Sequence, residues 1–344
     1  MKTTHLIIMM PLLLVLACEK PEPMSVATEG QVCLSVDLGG GTKADNYTTE
    51  WNNEKTVHSV GYYIFDSQGR LETVWSAGST AAVSGRVASG TKTVWAVVNI
   101  PSSRFSDVMT LAQFEAKEVS FADMSPSSFP MAGKKSLYVG TGNVTTSITV
   151  ERYVARVCVA EVRNEMSGSY EGEDIEIIGA FLENVSGNCM ITGETAGTPL
   201  WYNRCGRVDG YDSDAVIMDD FDASYGEFTF FDFGNEFLAW EDTSFPYAGL
   251  YCFPNSTSTD RTGWSDPFTP RYTRVVLETY IMGDRYYYPV SIPQIRRNHA
   301  YTLYLTITHL GSRDPDTFDY VTEQGVVIDI GGFDSWDDTL DIDY

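Results

Sequence analysis

The sequence has few of the residues on which most catalytic and metal-binding sites depend. It contains only four histidines, His5, His58, His299 and His309, and none has a second histidine at a metal-ligand spacing. Its six cysteines include no Cys-x-x-Cys pair, which argues against a structural zinc site. The Gly-x-Ser-x-Gly, His-Glu-x-x-His, Walker A and Gly-x-Gly-x-x-Gly motifs are absent as well. We therefore expect no enzyme activity, no cofactor and no bound metal.

Positive charge is also scarce. The chain has 23 lysines and arginines against 47 acidic residues, which gives a formal net charge of −24. A nucleic-acid-binding protein needs a basic face, so no nucleic acid is expected as a partner. The acidic residues 209–222 carry enough carboxylates to bind calcium, but they lack the regular ligand spacing of an EF-hand. A solvated acidic loop is the preferred interpretation of this stretch.

The sequence also lacks an apolar run long enough to cross a bilayer. Residues 6–17 form a run of twelve apolar residues, whereas a membrane span needs about 20. Preceded by Lys2, this run is typical of the hydrophobic region of a secretory signal. It ends in Val15-Leu16-Ala17-Cys18, which resembles the bacterial lipobox. We expect signal cleavage between Ala17 and Cys18 and lipid attachment to Cys18; an ordinary secretory signal with a chance cysteine is the alternative.

Hydrophobic and aromatic residues, by contrast, are abundant and often alternate with polar ones. They make up 43% and 13% of the chain, and this aromatic richness favours β structure. Alternation is strict over residues 31–38, which predicts a half-buried strand with Val32, Leu34, Val36 and Leu38 on one face. Many short strands separated by turns indicate β-sandwich domains. One short helix is predicted at residues 106–117, and further strands at 57–65, 91–100, 144–162, 175–182, 228–233, 274–280, 286–292, 301–308 and 326–330.

The length and the breaks in the pattern divide the chain. A length of 344 residues favours two domains. After the signal at 1–17, the polar residues 18–30 form a flexible tether. We place the domain boundary near residue 150, which gives an N-terminal domain over 31–150 and a C-terminal domain over 151–344. Within the first of these, Gly39-Gly-Gly41 opens a polar linker that continues to Glu54.

Beside the lipobox, six segments that together extend along most of the chain carry a family resemblance: 57–65, 94–99, 129–133, 151–157, 297–303 and 326–336. Taken in order, they resemble the fimbrillins of the type V pili of Bacteroidales. The resemblance implies an all-β protein with two β-sandwich domains of transthyretin-like, Greek-key topology and short helices. It also implies a place in a fimbria at the cell surface, with the precursor at the outer membrane.

The resemblance also implies a route of assembly. In this family a trypsin-like protease cuts a lipidated precursor and removes its first strand, and a strand of a neighbouring subunit then fills the groove. The implied partners are other fimbrial subunits, the processing protease and outer-membrane lipid bound through Cys18. The family more usually has arginine at the cut. Carried onto this sequence, the removable strand has Val32, Leu34, Val36 and Leu38, the cut lies between Lys43 and Ala44, and the donor strand has Val326, Ile328 and Ile330.

Two other classes of function remain open from the sequence. A surface glycan-binding or adhesin lipoprotein, at the tip or the anchor of a fimbria, would use the abundant aromatic residues for stacking. A glycosidase would need two facing carboxylates, which sequence alone does not identify. The cleavable linker and the amphipathic terminal strand favour the structural subunit.

Overall fold

A computed structural model describes the backbone of residues 28–38, 52–79, 82–125, 127–197, 200–203, 216–219, 228–257, 271–313, 315 and 326–332. The signal, Ala17, Cys18, Lys43 and Ala44 lie outside the described residues, as does most of the acidic stretch 209–222. None of the described helices has the length and apolar character that a membrane crossing requires.

Strands dominate the N-terminal part of the chain. The α-helix α1 (Leu111–Glu115) begins after Thr110, whose side chain and that of Gln113 form a reciprocal capping box. Short 3-10 helices occupy Asn52–Lys55, Ser102–Phe105 and Phe121–Asp123. In chain order the strands are β1 (Glu29–Asp37), β2 (Ser59–Phe65), β3 (Leu71–Gly78), β4 (Val83–Ala88), β5 (Gly90–Val98), β6 (Glu118–Ser120), β7 (Met131–Val139), β8 (Asn143–Thr149) and β9 (Glu151–Arg152).

The C-terminal part is also built from strands, with a 3-10 helix at Gly168–Tyr170. Its strands are β10 (Ala155–Asn164), β11 (Ile175–Glu183), β12 (Val185–Ser186), β13 (Asn188–Met190), β14 (Leu200–Asn203), β15 (Val216–Asp219), β16 (Phe230–Leu238), β17 (Thr243–Ser244), β18 (Ala248–Cys252), β19 (Thr273–Ile281), β20 (Asp284–Ile292), β21 (His299–Ile307) and β22 (Val326–Gly332).

Two sheets face each other in the N-terminal part. Sheet I has the order β4-β1-β8 and sheet II the order β3-β2-β5-β7-β9. Their inner faces share one buried cluster, to which Val32 and Leu34 of β1 and Tyr62 and Ile64 of β2 belong. Sheet II is covered on its other face too, where Tyr63 lies 4.9 Å, centroid to centroid, from the ring of Phe114 in α1. Burial on both faces explains the unbroken apolar run at the end of β2.

Two further sheets form the C-terminal part. Sheet III has the order β17-β10-β21-β22, with β18 also paired to β10, and sheet IV has the order β16-β11-β19-β20. Val157 and Leu303 of sheet III share a buried cluster with Ile177 and Leu277 of sheet IV. That cluster continues to Tyr63 on the outer face of sheet II. The buried core therefore extends between the two pairs of sheets. Two small sheets, β6-β13 and β12-β14-β15, complete the described pairing.

Sheet III repeats the arrangement of sheet I. In sheet I, β1 is antiparallel to β4 and parallel to β8. In sheet III, β10 is antiparallel to β18 and parallel to β21. The two middle strands share a Val-Cys-aliphatic sequence at residues 32–34 and 157–159. Compared with the described strands of sheet I, sheet III has two more, β17 paired with β10 and β22 on the outer side of the parallel strand.

The structure confirms most predicted strands and changes a few details. The stretch 144–162 contains three strands, β8, β9 and β10, because the chain passes from one sheet to the next there. The helix is confined to α1, which is shorter than predicted. Strands β19 and β20 form a hairpin that turns at Met282 and Gly283, whose positive φ values of 53° and 82° fit a tight hairpin turn.

Candidate functional site

The first strand occupies the middle of sheet I. Residues Glu29–Leu34 pair with β4, and residues Gln31–Asp37 pair with β8 on the opposite side. If β1 were absent, β4 and β8 would each lose the only ladder partner that the described residues give them. Unpaired strand edges of this kind readily accept another extended segment. The site is thus a groove whose walls are β4 and β8 and whose floor is the core of sheets I and II.

The side chains of β1 fill the floor of this groove. Val32 is 1% exposed and Leu34 is fully buried, at 0% exposure. Val36 and Leu38 are partly buried and pack against the same cluster. The intervening residues, such as Ser35, lie on the outer face. The structure therefore places all four predicted apolar residues along one line in the groove, with the deepest burial in the first half of the strand.

The end of β1 leads directly to the predicted cleavage site. The carbonyl of Asp37 accepts a hydrogen bond from the backbone N–H of Val150 at 2.8 Å. The next described residue after Leu38 is Asn52. Lys43 and Ala44 lie between these two residues in the sequence, outside the described part of the chain.

Glu54 lies near the start of the next described segment and is held by three side chains of strands later in the chain. Its carboxylate is 3.0 Å from the guanidinium of Arg156 and accepts a hydrogen bond of 2.6 Å from the hydroxyl of Tyr251. Its backbone carbonyl accepts another from Nε of Arg152 at 2.9 Å. Burial and the neighbouring Glu54 charge raise the pKa of Tyr251 well above its usual range. The three partners come from β9, β10 and β18, so this anchor does not depend on β1.

The predicted donor strand is present as β22. It pairs antiparallel with β21 at the edge of sheet III, from Val326 opposite Leu305 to Gly332 opposite His299. Its other side has no ladder partner among the described strands. The three predicted donor residues, Val326, Ile328 and Ile330, alternate along this strand. In this structure β22 therefore lies in its own subunit, with one strand neighbour where β1 has two.

The histidines and cysteines form no reactive centre in the part of the chain that the structure describes. The ring nitrogen Nε2 of His58 lies 2.8 Å from the carbonyl of Ser127, and Nδ1 of His299 lies 2.8 Å from the carbonyl of Arg297. No group of three or more potential metal ligands occurs among these residues. Burial raises the pKa of the Cys158 thiol to about 11, which suppresses its reactive thiolate at neutral pH.

Two open clefts lie side by side near the start of β11. The first, a cavity of about 440 Å³, is lined by Trp240 with Arg163 and Glu171. The second is lined by Tyr280 and also by Asp174. The carboxylate of Asp174 accepts a hydrogen bond from the backbone N–H of Trp240 at 3.1 Å, which joins the two clefts. The guanidinium of Arg285 lies 5.1 Å from the centroid of the Tyr280 ring, so one face of this ring is already covered.

Comparison with known proteins rests on structure, because no family model and no curated protein matches this sequence. A fimbrillin from Porphyromonas gingivalis superposes with a TM-score of 0.67 and 14% sequence identity, over 90% of this chain and 99% of that one. A putative cell adhesion protein from Bacteroides eggerthii gives a TM-score of 0.61 at 14% identity, over 89% of this chain and 95% of that one. The chain has the fimbrillin fold.

A third solved structure with this fold is the tip fimbrial protein Mfa3 of Porphyromonas gingivalis, truncated at its C-terminus. It gives a TM-score of 0.52 at 14% identity, over 88% of this chain and 99% of that one. The expectation of an all-β protein that resembles the fimbrillins is therefore confirmed. Sequence reasoning identified β1 and β22 but missed Glu54, because its burial depends on side chains that are about a hundred and two hundred positions away along the chain.

Proposed function

We propose that the protein is a structural subunit of a cell-surface fimbria. It is exported as a lipoprotein precursor, tethered to the outer membrane through Cys18, and assembles with other subunits by donor-strand exchange after proteolysis. The observation that carries the proposal is the position of β1. This strand is buried in the middle of a sheet, yet only an N-terminal tether and the segment containing Lys43 connect it to the rest of the chain.

The exchange follows from this position. A trypsin-like protease that cuts between Lys43 and Ala44 separates β1 and the lipid together from the rest of the protein. Glu54 still holds the chain after the cut, since its partners lie outside β1. Departure of β1 leaves an apolar groove with two unpaired walls, and a strand from a neighbouring subunit repairs both by β-augmentation. The donor is β22, whose apolar residues alternate. No step requires catalysis by this protein, a cofactor or a metal.

We also propose that the chain forms two β-sandwich domains with a boundary near residue 150. All strands of sheets I and II come from residues 29–152, and all strands of sheets III and IV come from residues 155–332. The β6-β13 pair joins the two parts.

Limited trypsin digestion tests the proposal. It uses a soluble form of the precursor whose sequence starts at Glu19. We expect a new N-terminus at Ala44 and, after cleavage, oligomers that resist SDS. Lys43→Gln should abolish both. Lys20→Gln is the matched control, because Lys20 lies before β1 and its loss should leave cleavage at Lys43 and assembly unchanged. Monomers that persist after complete cleavage at Lys43 would contradict the proposal.

The second candidate is a glycan-binding adhesin lipoprotein, which the two adjoining clefts favour. Trp240 would stack on a sugar ring there. This candidate predicts binding to a glycan array that Trp240→Ala reduces at least tenfold, without any change in assembly after cleavage. Binding that is unaffected by this substitution would refute the use of these clefts.

A further inference from the structure

The sequence of β22 resembles that of β1 within this one chain. Residues 325–330 read Gly-Val-Val-Ile-Asp-Ile, and residues 31–36 read Gln-Val-Cys-Leu-Ser-Val. In this alignment, the groove-filling residues Val32, Leu34 and Val36 of β1 correspond to aliphatic residues of β22. The alternation continues in phase, and each inward pair differs by at most one methylene group. Swaps of this size are tolerated in packed cores.

We infer that β22 enters the groove of a second copy of this chain in the direction of β1 and in this register. Val326 takes the place of Val32, Ile328 that of Leu34, and Ile330 that of Val36. The inference rests on the proposed function, and it names both the partner and the alignment. Because the groove and the strand that matches it belong to the same chain, the fitting neighbour is a second copy.

A competing register is shifted by two residues. It aligns residues 34–40, Leu-Ser-Val-Asp-Leu-Gly-Gly, with residues 326–332, Val-Val-Ile-Asp-Ile-Gly-Gly. Sequence identity favours this alternative, but burial does not. The shift places Gln324 at the position of Val32, which is 1% exposed, and so buries an amide in an apolar site. Our register instead places Gly332 at the position of Leu38, which is only partly buried, so the loss of packing is smaller.

The pairing of β1 favours the same register. Only residues up to Leu34 pair with β4, whereas pairing with β8 continues to Asp37. In our register, Val326 and Ile328 lie between both walls, so the donor exchanges its single neighbour β21 for two. In the shifted register Val326 is the one residue of β22 that reaches β4. More of β22 therefore lies between both walls in the register that buries its apolar residues more deeply.

The start of the groove limits how far the match extends. A Cβ atom at Gly30 would lie 2.2 Å from the carbonyl oxygen of Gly140 and 2.6 Å from Cγ1 of Val139. The donor has Gln324 at this position in our register, so it cannot follow β1 there. We therefore expect the inserted segment to begin at Gly325.

Charge also suits this alignment. Asp329 takes the place of Ser35, which is paired with Ser147 of β8. The carbonyl of Ser147 already accepts a hydrogen bond of 2.9 Å from the ammonium of Lys135. In this register the Asp329 carboxylate is thus beside Ser147, whose carbonyl binds the ammonium of Lys135.

Disulfide trapping separates the possible arrangements. The soluble precursor carries Asp329→Cys together with one acceptor cysteine on the outer face of β8. Cys205→Ser and Cys33→Ser are included in every variant, because native Cys33 of β1 is paired with Thr145 and would compete for the acceptor. Each acceptor corresponds to one model. Ser147→Cys reports our register, and Thr149→Cys reports the register shifted by two residues. Thr145→Cys reports addition of β22 to the outer edge of β8, by analogy with the pairing of Thr302 and Asp329 in sheet III.

After trypsin cleavage and mild oxidation, we expect covalent oligomers from the Ser147→Cys protein, in at least tenfold excess over the other two. Dominant cross-linking at Thr149→Cys would overturn the inference while leaving assembly by strand exchange in place. Dominant cross-linking at Thr145→Cys would overturn the inference and would also contradict strand exchange, because β22 would then add to the edge of β8 without filling the groove. Assembly without any of the three cross-links would overturn it as well. If the subunits fail to assemble, the proposed function fails. The register is then tested with a synthetic peptide of residues 323–332 that has cysteine at position 329 and is offered to the open groove. A disulfide to Ser147→Cys then still supports the register, and its absence overturns it.

Discussion

Replacement of Leu34 by alanine should weaken the hold of the groove on β1. The side chain is completely buried between sheets I and II. Leu→Ala changes at such sites cost about 2–5 kcal/mol, since the lost burial is joined by the cost of a cavity. A value of about 3 kcal/mol corresponds to a loss of roughly 100-fold in affinity once β1 is a separate fragment. Ser35→Ala, one residue further on the outer face, should change the affinity less than about threefold.

The assay uses precursor cut at Lys43 at a concentration too low for assembly. A fluorescent label on the N-terminus of the released segment reports its dissociation from the groove by anisotropy. We expect Leu34→Ala to speed dissociation by about the factor given above, because the lost contacts hold the bound state. The same variant should assemble faster at high concentration, since release of β1 precedes entry of the donor.

Equal dissociation rates for Leu34→Ala and the wild type would refute this reasoning. They would mean that β1 is held by its backbone ladders alone and that the apolar floor contributes little. Equal effects of Leu34→Ala and Ser35→Ala would be just as damaging, because the two faces of the strand would then be equivalent.

Further predictions concern the part of the fold that remains after cleavage, and urea unfolding of the soluble precursor tests each of them. Glu54→Gln should cost about 2–3 kcal/mol because it removes the buried carboxylate charge that faces the half-buried guanidinium of Arg156, whereas Glu165→Gln, in an exposed pair with Arg163, should cost less than about 1 kcal/mol. Gly133→Ala should cost more than about 2 kcal/mol, since its Cβ would lie 1.9 Å from a carbonyl oxygen of β8, whereas Gly78→Ala meets nothing within 4 Å and serves as the control. The pKa of Cys158 rises from 9.0 to about 11 on folding, so its contribution to stability is complete below pH 9 and is lost as the pH rises to 11. Between pH 9 and pH 11, the free energy of unfolding should therefore fall by about 2–3 kcal/mol less in Cys158→Ala than in the wild type. An unchanged pH profile would contradict the raised pKa of Cys158.

Alternation predicted strands best where one face of a strand is buried and the other is not. The prediction over 31–38 agrees with β1 because its inward and outward residues differ in polarity at nearly every position. The same holds for β21. Alternation does not specify neighbours, however. The position of β1 between β4 and β8 depends on long-range pairing. Its partners follow some fifty residues later in the sequence on one side of the strand and more than a hundred residues later on the other.

The predicted polar linker illustrates the limit of local patterns. Residues from Gly39 to Glu54 lack apolar periodicity, and the sequence interpretation treats them as one exposed segment. Glu54 is nevertheless buried, because Arg156 and Tyr251 neutralise and bind its carboxylate. Only a long-range view of charge pairing reveals such an anchor. Gly133 likewise belongs to a segment that resembles the family, but the sequence does not show why glycine is needed there. The reason is that β8 approaches too closely to leave room for a side chain.

Lipid attachment and strand exchange are coupled in the proposed mechanism because both Cys18 and β1 lie on the same side of Lys43. A single cut therefore releases the subunit from the membrane and opens its groove. A subunit that escapes the cut keeps its groove filled and its lipid attached, but its β22 lies at a sheet edge with one strand neighbour. Such a subunit can donate and cannot accept. It would end a growing fibre at the membrane, so the ratio of cut to uncut precursor would set the number of anchored fibres and their mean length.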